Sequence, residues 1–246
     1  MPDQPVGRES VSTLFIHMRR LRMLTSLFLF ILPNLLSARP PLDLSKVDSL
    51  DLTGYRSLER ADFKGAHAPK QFLHGPVLPV AVSCIYVVVN PRARIYAESR
   101  MIDGVATFIP SISDLAFQAV LSRSCSWWND EHNVSPAYVL EHEQVHFALY
   151  EIASRKLNKD AVGLIRALPV STESAQAAVT ATQRFLQERL NRTMQQVVND
   201  NALFDRETSF GFQPERQQRW RKTVDGDLSQ LTEHTVDLEL HPPAGR

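Results

Sequence analysis

Apolar residues are densest between Pro79 and Asn90, where Val80, Val82, Cys84, Tyr86 and Val88 fall on one face and Ala81, Ile85, Val87 and Val89 on the other. A run apolar on both faces predicts a strand buried on both sides. Asn90-Pro91 marks a turn, and Arg92–Met101 and Val105–Ile109 predict two more strands joined by an Asp103-Gly104 hairpin. The segment from Ser111 to Ser122 fits a helix or a loop. Trp127 and Trp128, which come after it, are expected to pack in the core, as aromatics of that size do.

The period then changes from two to 3.6. Ser135 is a cap candidate, Pro136 suits the first helical position, and Val139, Leu140, Leu149, Ile152 and Ala153 supply an apolar face. Arg155, Lys156 and Lys159 complement the negative helix end, and Asn158 is a stop signal. A second, longer helix is predicted from Thr172 to about Asn199, with Val179, Leu186, Leu190, Met194 and Val197 at helical spacing and no Gly or Pro inside it. A final strand is expected at His234–Leu240, before Pro242-Pro243. The pattern as a whole predicts an α+β domain in which a small antiparallel sheet packs on the first helix and the second long helix.

The first helix carries chemistry. Leu140-Glu141-His142-Glu143-Gln144-Val145-His146-Phe147 contains His-Glu-x-x-His. Residues four apart on a helix share a face, so His142 and His146 can present two imidazoles to one metal ion, which in this pattern is Zn2+. Glu143 then lies beside that face, where a carboxylate can serve as general base toward water activated by the ion.

Charge and composition narrow the class further. Lys and Arg number 27 and Asp and Glu 27, a balance that gives no global attraction to nucleic acid. The 43% hydrophobic and 22% charged content of the 246 residues suits one globular domain. Near the N-terminus, Arg19, Arg20 and Arg22 precede the apolar run Leu24–Leu36 and then Ser37-Ala38-Arg39-Pro40-Pro41, the layout of a secretory signal peptide cleaved after Ala38. The polar stretch from Met1 to His17 sits oddly upstream of it, and translation starting at Met18 or Met23 would remove it. The expected organisation is a signal peptide over 1–38, a linker over 39–56, a metallopeptidase domain over 57–223 and a tail over 224–246. After signal cleavage no stable membrane insertion is expected, and the location is periplasmic or secreted. The two cysteines, Cys84 and Cys125, would meet an oxidising compartment there; pairing and free buried thiols are both open.

Several stretches together resemble one family, the bacterial exported zinc-dependent proteases catalogued as domain of unknown function 922. Asp62-Phe63-Lys64-Gly65, Ser126-Trp127, His142-Glu143-Gln144-x-His146-Phe147, Phe204-Asp205-x-x-Thr208-x-Phe210-Gly211 and Gln217-x-x-Trp220 keep that family's order. The resemblance implies a zincin-like fold, a Zn2+ cofactor and a peptide or protein substrate. One position departs from it: the family carries His where this chain has Phe210.

A catalytic zinc needs a third protein ligand beyond His142 and His146. Asp205 and Glu207 rank together as candidates, ahead of His132. An edge strand, with Val105–Ile109 the candidate, is expected to align an extended peptide. The competing expectation is a zincin-like scaffold that binds a peptide or envelope partner without cleaving it.

Overall fold

The computed structural model of the chain describes residues 51–68 and 79–238. The expected signal peptide, the linker up to residue 50, the loop with Pro69, Gly75 and Pro76, and Pro242-Pro243 lie outside the described residues. The strands are β1 (Leu52–Gly54), β2 (Ala81–Val82), β3 (Ile85–Val89), β4 (Arg94–Ile102), β5 (Val105–Ser113), β6 (Phe117–Ser122) and β7 (Trp127–Trp128). The helices are α1 (Pro136–Lys159), α2 (Ala161–Arg166), α3 (Ala175–Thr208) and α4 (Pro214–Gln230), with a 3-10 turn at Thr232–His234. All sheet pairing is antiparallel: β1-β6-β3, β2-β7 and β4-β5. The expected α+β architecture is therefore present.

The Asp103-Gly104 hairpin forms as predicted, with φ of 48° and 77°, the positive pair a type I′ turn requires. The single strand expected over Pro79–Asn90 does not form. It breaks at Ser83-Cys84, so that β2 pairs with β7 and β3 with β6. The Cys84 amide leaves the ladder to donate to Ser126 Oγ at 3.0 Å, and Cys84 is joined to Cys125. Ser111–Ser122, which fits helix or loop by pattern, holds the end of β5 and the whole of β6. As the central strand β6 is buried at every position, and its polar Gln118 and Ser122 are buried too, which erases the alternation. Leu52–Gly54, placed in the linker by composition, is the β1 edge of that sheet.

Helix α1 is buried on two sides, which is the feature that positions the site. Toward the sheets, Val139 and Phe147 pack with Phe63, Ile85, Leu121 and Trp128. Toward the other helices, Val145, Ala148 and Ile152 pack with Phe204, Val224, Leu228 and Leu231. Pro136 opens the helix as predicted, but Ser135 caps it with its backbone carbonyl, which accepts from the Tyr138 and Val139 amides, and not with its side chain.

The second long helix starts at a true side-chain cap, Ser174 Oγ accepting from the Ala177 amide at 3.0 Å. It runs to Thr208, past the expected end near Asn199, because nothing between breaks a helix until the left-handed Ser209. The tail differs from expectation as well. Helix α4 runs through the expected boundary at 223 and buries Val224 and Leu228, with Leu231 buried just after its end. The strand expected at His234–Leu240 is a 3-10 turn up to His234, and the next segment docks through a side chain: Gln118 receives the Leu238 amide and donates to Asp237. Among the described residues no helix is long and apolar enough to cross a membrane.

The Cys84–Cys125 disulfide decides between the two readings of the cysteines, and it closes a separation of 41 residues. On the chain-entropy model such a link contributes ~3–4 kcal/mol, roughly 6–15 °C in Tm for a chain this long. Thiol titration in denaturant should detect no free thiol before reduction and both afterwards, and reductant should lower Tm by that amount.

Candidate metal centre

His142 and His146 lie on the face of α1 that meets α3 and α4, one turn apart. Phe204 of α3 packs against both: its ring is stacked on His142 with centroids 4.5 Å apart and meets His146 edge-on at 5.0 Å. The same helix brings Asp205 to the two rings. Asp205 Oδ1 lies 3.2 Å from His142 Nε2 and 3.1 Å from His146 Nε2, and the two Nε2 atoms are 3.2 Å apart. These three atoms form a nearly equilateral triangle. A tetrahedral ion with ligands at ~2.0–2.1 Å spaces them about 3.3–3.4 Å apart, so the triangle matches a metal site within tenths of an ångström.

The atoms behind the rings fix what they point at the centre. Gln217 Nε2 donates to the Tyr138 carbonyl at 3.2 Å, which turns Gln217 Oε1 toward His142 Nδ1 at 3.1 Å. Asn201 Nδ2 donates to the Val197 carbonyl at 2.7 Å, which turns Asn201 Oδ1 toward His146 Nδ1 at 2.5 Å. Each Nδ1 must then carry a proton, which leaves each Nε2 as the atom that can take up a further proton or a metal ion. Two imidazole lone pairs and a carboxylate oxygen thus converge on one point, an arrangement that is repulsive unless a cation occupies it.

The charge state reflects that convergence. Burial alone would drive His146 toward its neutral form. The Asp205 carboxylate, helped by Glu143 and Asn201, outweighs burial and pushes its pKa up to about 9. Burial would likewise raise Asp205, but the two imidazoles hold it well below the usual carboxylate range. A proton at this centre does what a metal ion would do more strongly.

Glu143 points elsewhere. It continues the Val139–Phe147 stripe that faces the sheets, is 5% exposed, and accepts a hydrogen bond from Ser83 Oγ at 2.5 Å. The carboxylate thus sits beside the His pair from a different direction, as one step of about 100° around a helix dictates.

Of the residues singled out from sequence, the fold gathers His142, His146 and Asp205, with Glu143 adjoining. Glu207 does not join them. Two positions along a helix are about 200° apart, so it cannot share a target with Asp205. It accepts instead from the Trp220 indole at 2.8 Å. His132 is exposed in the loop before α1 and is not in the cluster. Phe210 is 74% exposed on the turn after α3. Its neighbour Gly211, with φ of +86°, presses its backbone on the site: a Cβ there would stand 3.4 Å from His142 Nδ1 and 3.7 Å from Gln217 Oε1.

Sequence reasoning missed Asn201 altogether and had Gln217 only as part of a motif without a task. The sequence signal for Asn201 was its place four residues before Asp205 on one helix face.

This α+β fold is zincin-like, with small antiparallel sheets packed against the helix that bears the paired histidines. The His142-Glu143-x-x-His146 spacing with Asp205 beside it matches a zinc-binding motif of the His-Glu-x-x-His type, able to chelate a divalent metal. No family model, curated protein or solved structure matches the chain.

The residues behind the rings and the proton at the centre each have a measurable consequence. Gln217→Ala removes the acceptor that sets the His142 tautomer, and zinc affinity measured by calorimetry should fall about 10–100-fold. Because His146 is protonated below about 9, zinc entry must expel that proton. Binding at pH 7 should release about one proton, and apparent affinity should rise about tenfold between pH 7 and pH 8. Equal heats in buffers of different ionisation enthalpy would contradict this.

Proposed function

We propose that the chain is an exported zinc metallopeptidase that hydrolyses peptide bonds. The observation that carries the reading is the convergence of His142 Nε2, His146 Nε2 and Asp205 Oδ1 on one point, with both Nδ1 atoms held from behind. Two His and one carboxylate are donors that suit zinc, and three protein ligands leave a fourth position open, the signature of a catalytic site as opposed to a structural one. Its order of motifs, from Asp62-Phe63 to Gln217-x-x-Trp220, supports kinship with the exported protease family named above.

When bound, zinc would acidify water and polarise a peptide carbonyl. His142, His146 and Asp205 would hold the ion, and Gln217 and Asn201 would keep the two rings in the binding tautomer. Glu143, buried beside them, would take the proton from the attacking water and return it to the leaving amine. The peptide is best aligned along the β2–β3 edge, where Ser83 adjoins Glu143. Val105–Ile109, the edge expected from the sequence, lies in the separate β4-β5 ribbon. We further assign residues 1–38 as the export signal, which would place the mature protein in the periplasm or outside the cell.

Phe210 favours the rival reading, a scaffold that binds without cutting, because it stands where the similar family has His. Zinc-loaded protein incubated with a mixed peptide library and read by mass spectrometry separates the two. Chelator-sensitive cuts that fall at least ~100-fold in Glu143→Ala, with zinc still bound near one equivalent, are expected for the peptidase. Binding without cuts would leave the scaffold.

A further inference from the structure

The assigned base is itself held by a residue that no sequence pattern singled out, and the role inferred for that residue rests on the metallopeptidase reading. Ser83 belongs to neither strand; it occupies the two-residue break between β2 and β3 and donates its hydroxyl proton to Glu143 Oε2 at 2.5 Å. The break is fixed on both sides. Val82 pairs with Trp127. Cys84 donates its amide to Ser126 Oγ at 3.0 Å and accepts from the Ser122 amide at 2.9 Å, while Ser126 Oγ donates onward to the Ser122 carbonyl at 2.8 Å. The disulfide then ties Cys84 to Cys125 in the same turn. One turn, Ser122–Trp127, therefore seats the backbone on either side of Ser83, and the Ser126-Trp127 pair gains a physical task.

Glu143 needs such a partner. Its carboxylate interrupts an apolar stripe between Val139 and Phe147, and a buried carboxylate without a donor is costly. A hydroxyl satisfies one oxygen without adding a positive charge that would compete with the metal centre. The Ser83 hydroxyl engages Oε2 and not Oε1. We propose that Ser83 is a positioning residue for the base: by holding Oε2 it fixes the carboxylate rotamer and presents Oε1 to the attacking water.

The test compares wild type, Ser83→Ala and Ser83→Thr, each loaded with zinc. For Ser83→Ala, kcat should fall roughly tenfold, with KM and zinc affinity within about twofold of wild type; Ser83→Thr, which keeps the hydroxyl, should recover most of the rate. A second readout does not depend on turnover. In metal-free protein, Ser83→Ala should lower Tm in the wild-type background and leave it unchanged in a Glu143→Ala background, because the contact it removes is already gone.

An active wild type with an equally active Ser83→Ala overturns the role of Ser83 alone. So does a loss of rate that Ser83→Thr fails to relieve, or an equal fall in Tm in both backgrounds. A zinc-loaded wild type that cuts no peptide overturns the metallopeptidase reading and the positioning role together.

Discussion

The site depends on two side-chain amides, Gln217 fully buried and Asn201 half-buried. Gln217 and Asn201 each direct their NH2 to a backbone carbonyl, which leaves only their oxygens to face the imidazoles. That choice puts protons on both Nδ1 atoms and turns both Nε2 atoms toward the same carboxylate oxygen. With no proton or cation between them such a cluster would cost free energy, since three acceptors would share one partly buried point. The packing around Phe204, which touches both rings and Trp220, holds the acceptors together regardless. A proton on His146 relieves the repulsion, and a divalent cation in its place would do so more strongly.

Burial of α1 on two sides divides its functional residues by direction. His142 and His146 belong to the side that meets α3 and α4, and Glu143 to the side that meets the sheets. Neighbouring positions 142 and 143 are thus served by different parts of the chain, α3 and α4 behind the His142 ring and the β2–β3 break behind the Glu143 carboxylate. The disulfide and the Ser126 hydrogen bonds rigidify the second support as Gln217 and Asn201 rigidify the first.

The turn between α3 and α4 bears the strain of bringing Gln217 back to His142. Ser209, Phe210 and Gly211 all take positive φ, at 52°, 56° and 86°. Glycine does so freely; for serine and phenylalanine it costs roughly 1–2 kcal/mol each. Gly211 has a second reason to be glycine, because its backbone lies against His142 and Gln217. Phe210 projects outward from this turn, away from the cluster of His142, His146 and Asp205.

Much of this was legible without coordinates. Helical periodicity placed the two histidines on one face and located both long helices, and Asp103-Gly104 set its hairpin, because these depend on contacts within a few residues. The signals failed where distant partners decided the outcome. The central strand β6 hid its alternation because it is covered on all sides; the strand at Pro79–Asn90 broke because a cysteine 41 residues away captured Cys84. Helical spacing alone put His142 and His146 on one face, and the motif order marked Asp205 and Glu207 as acidic candidates to join them. Packing brought Asp205 and not Glu207 to the two rings, set Asn201 and Gln217 behind them and placed Ser83 against Glu143. Those choices depend on which way each side chain faces once α3 and α4 fold back onto α1, and a linear pattern carries no record of that packing.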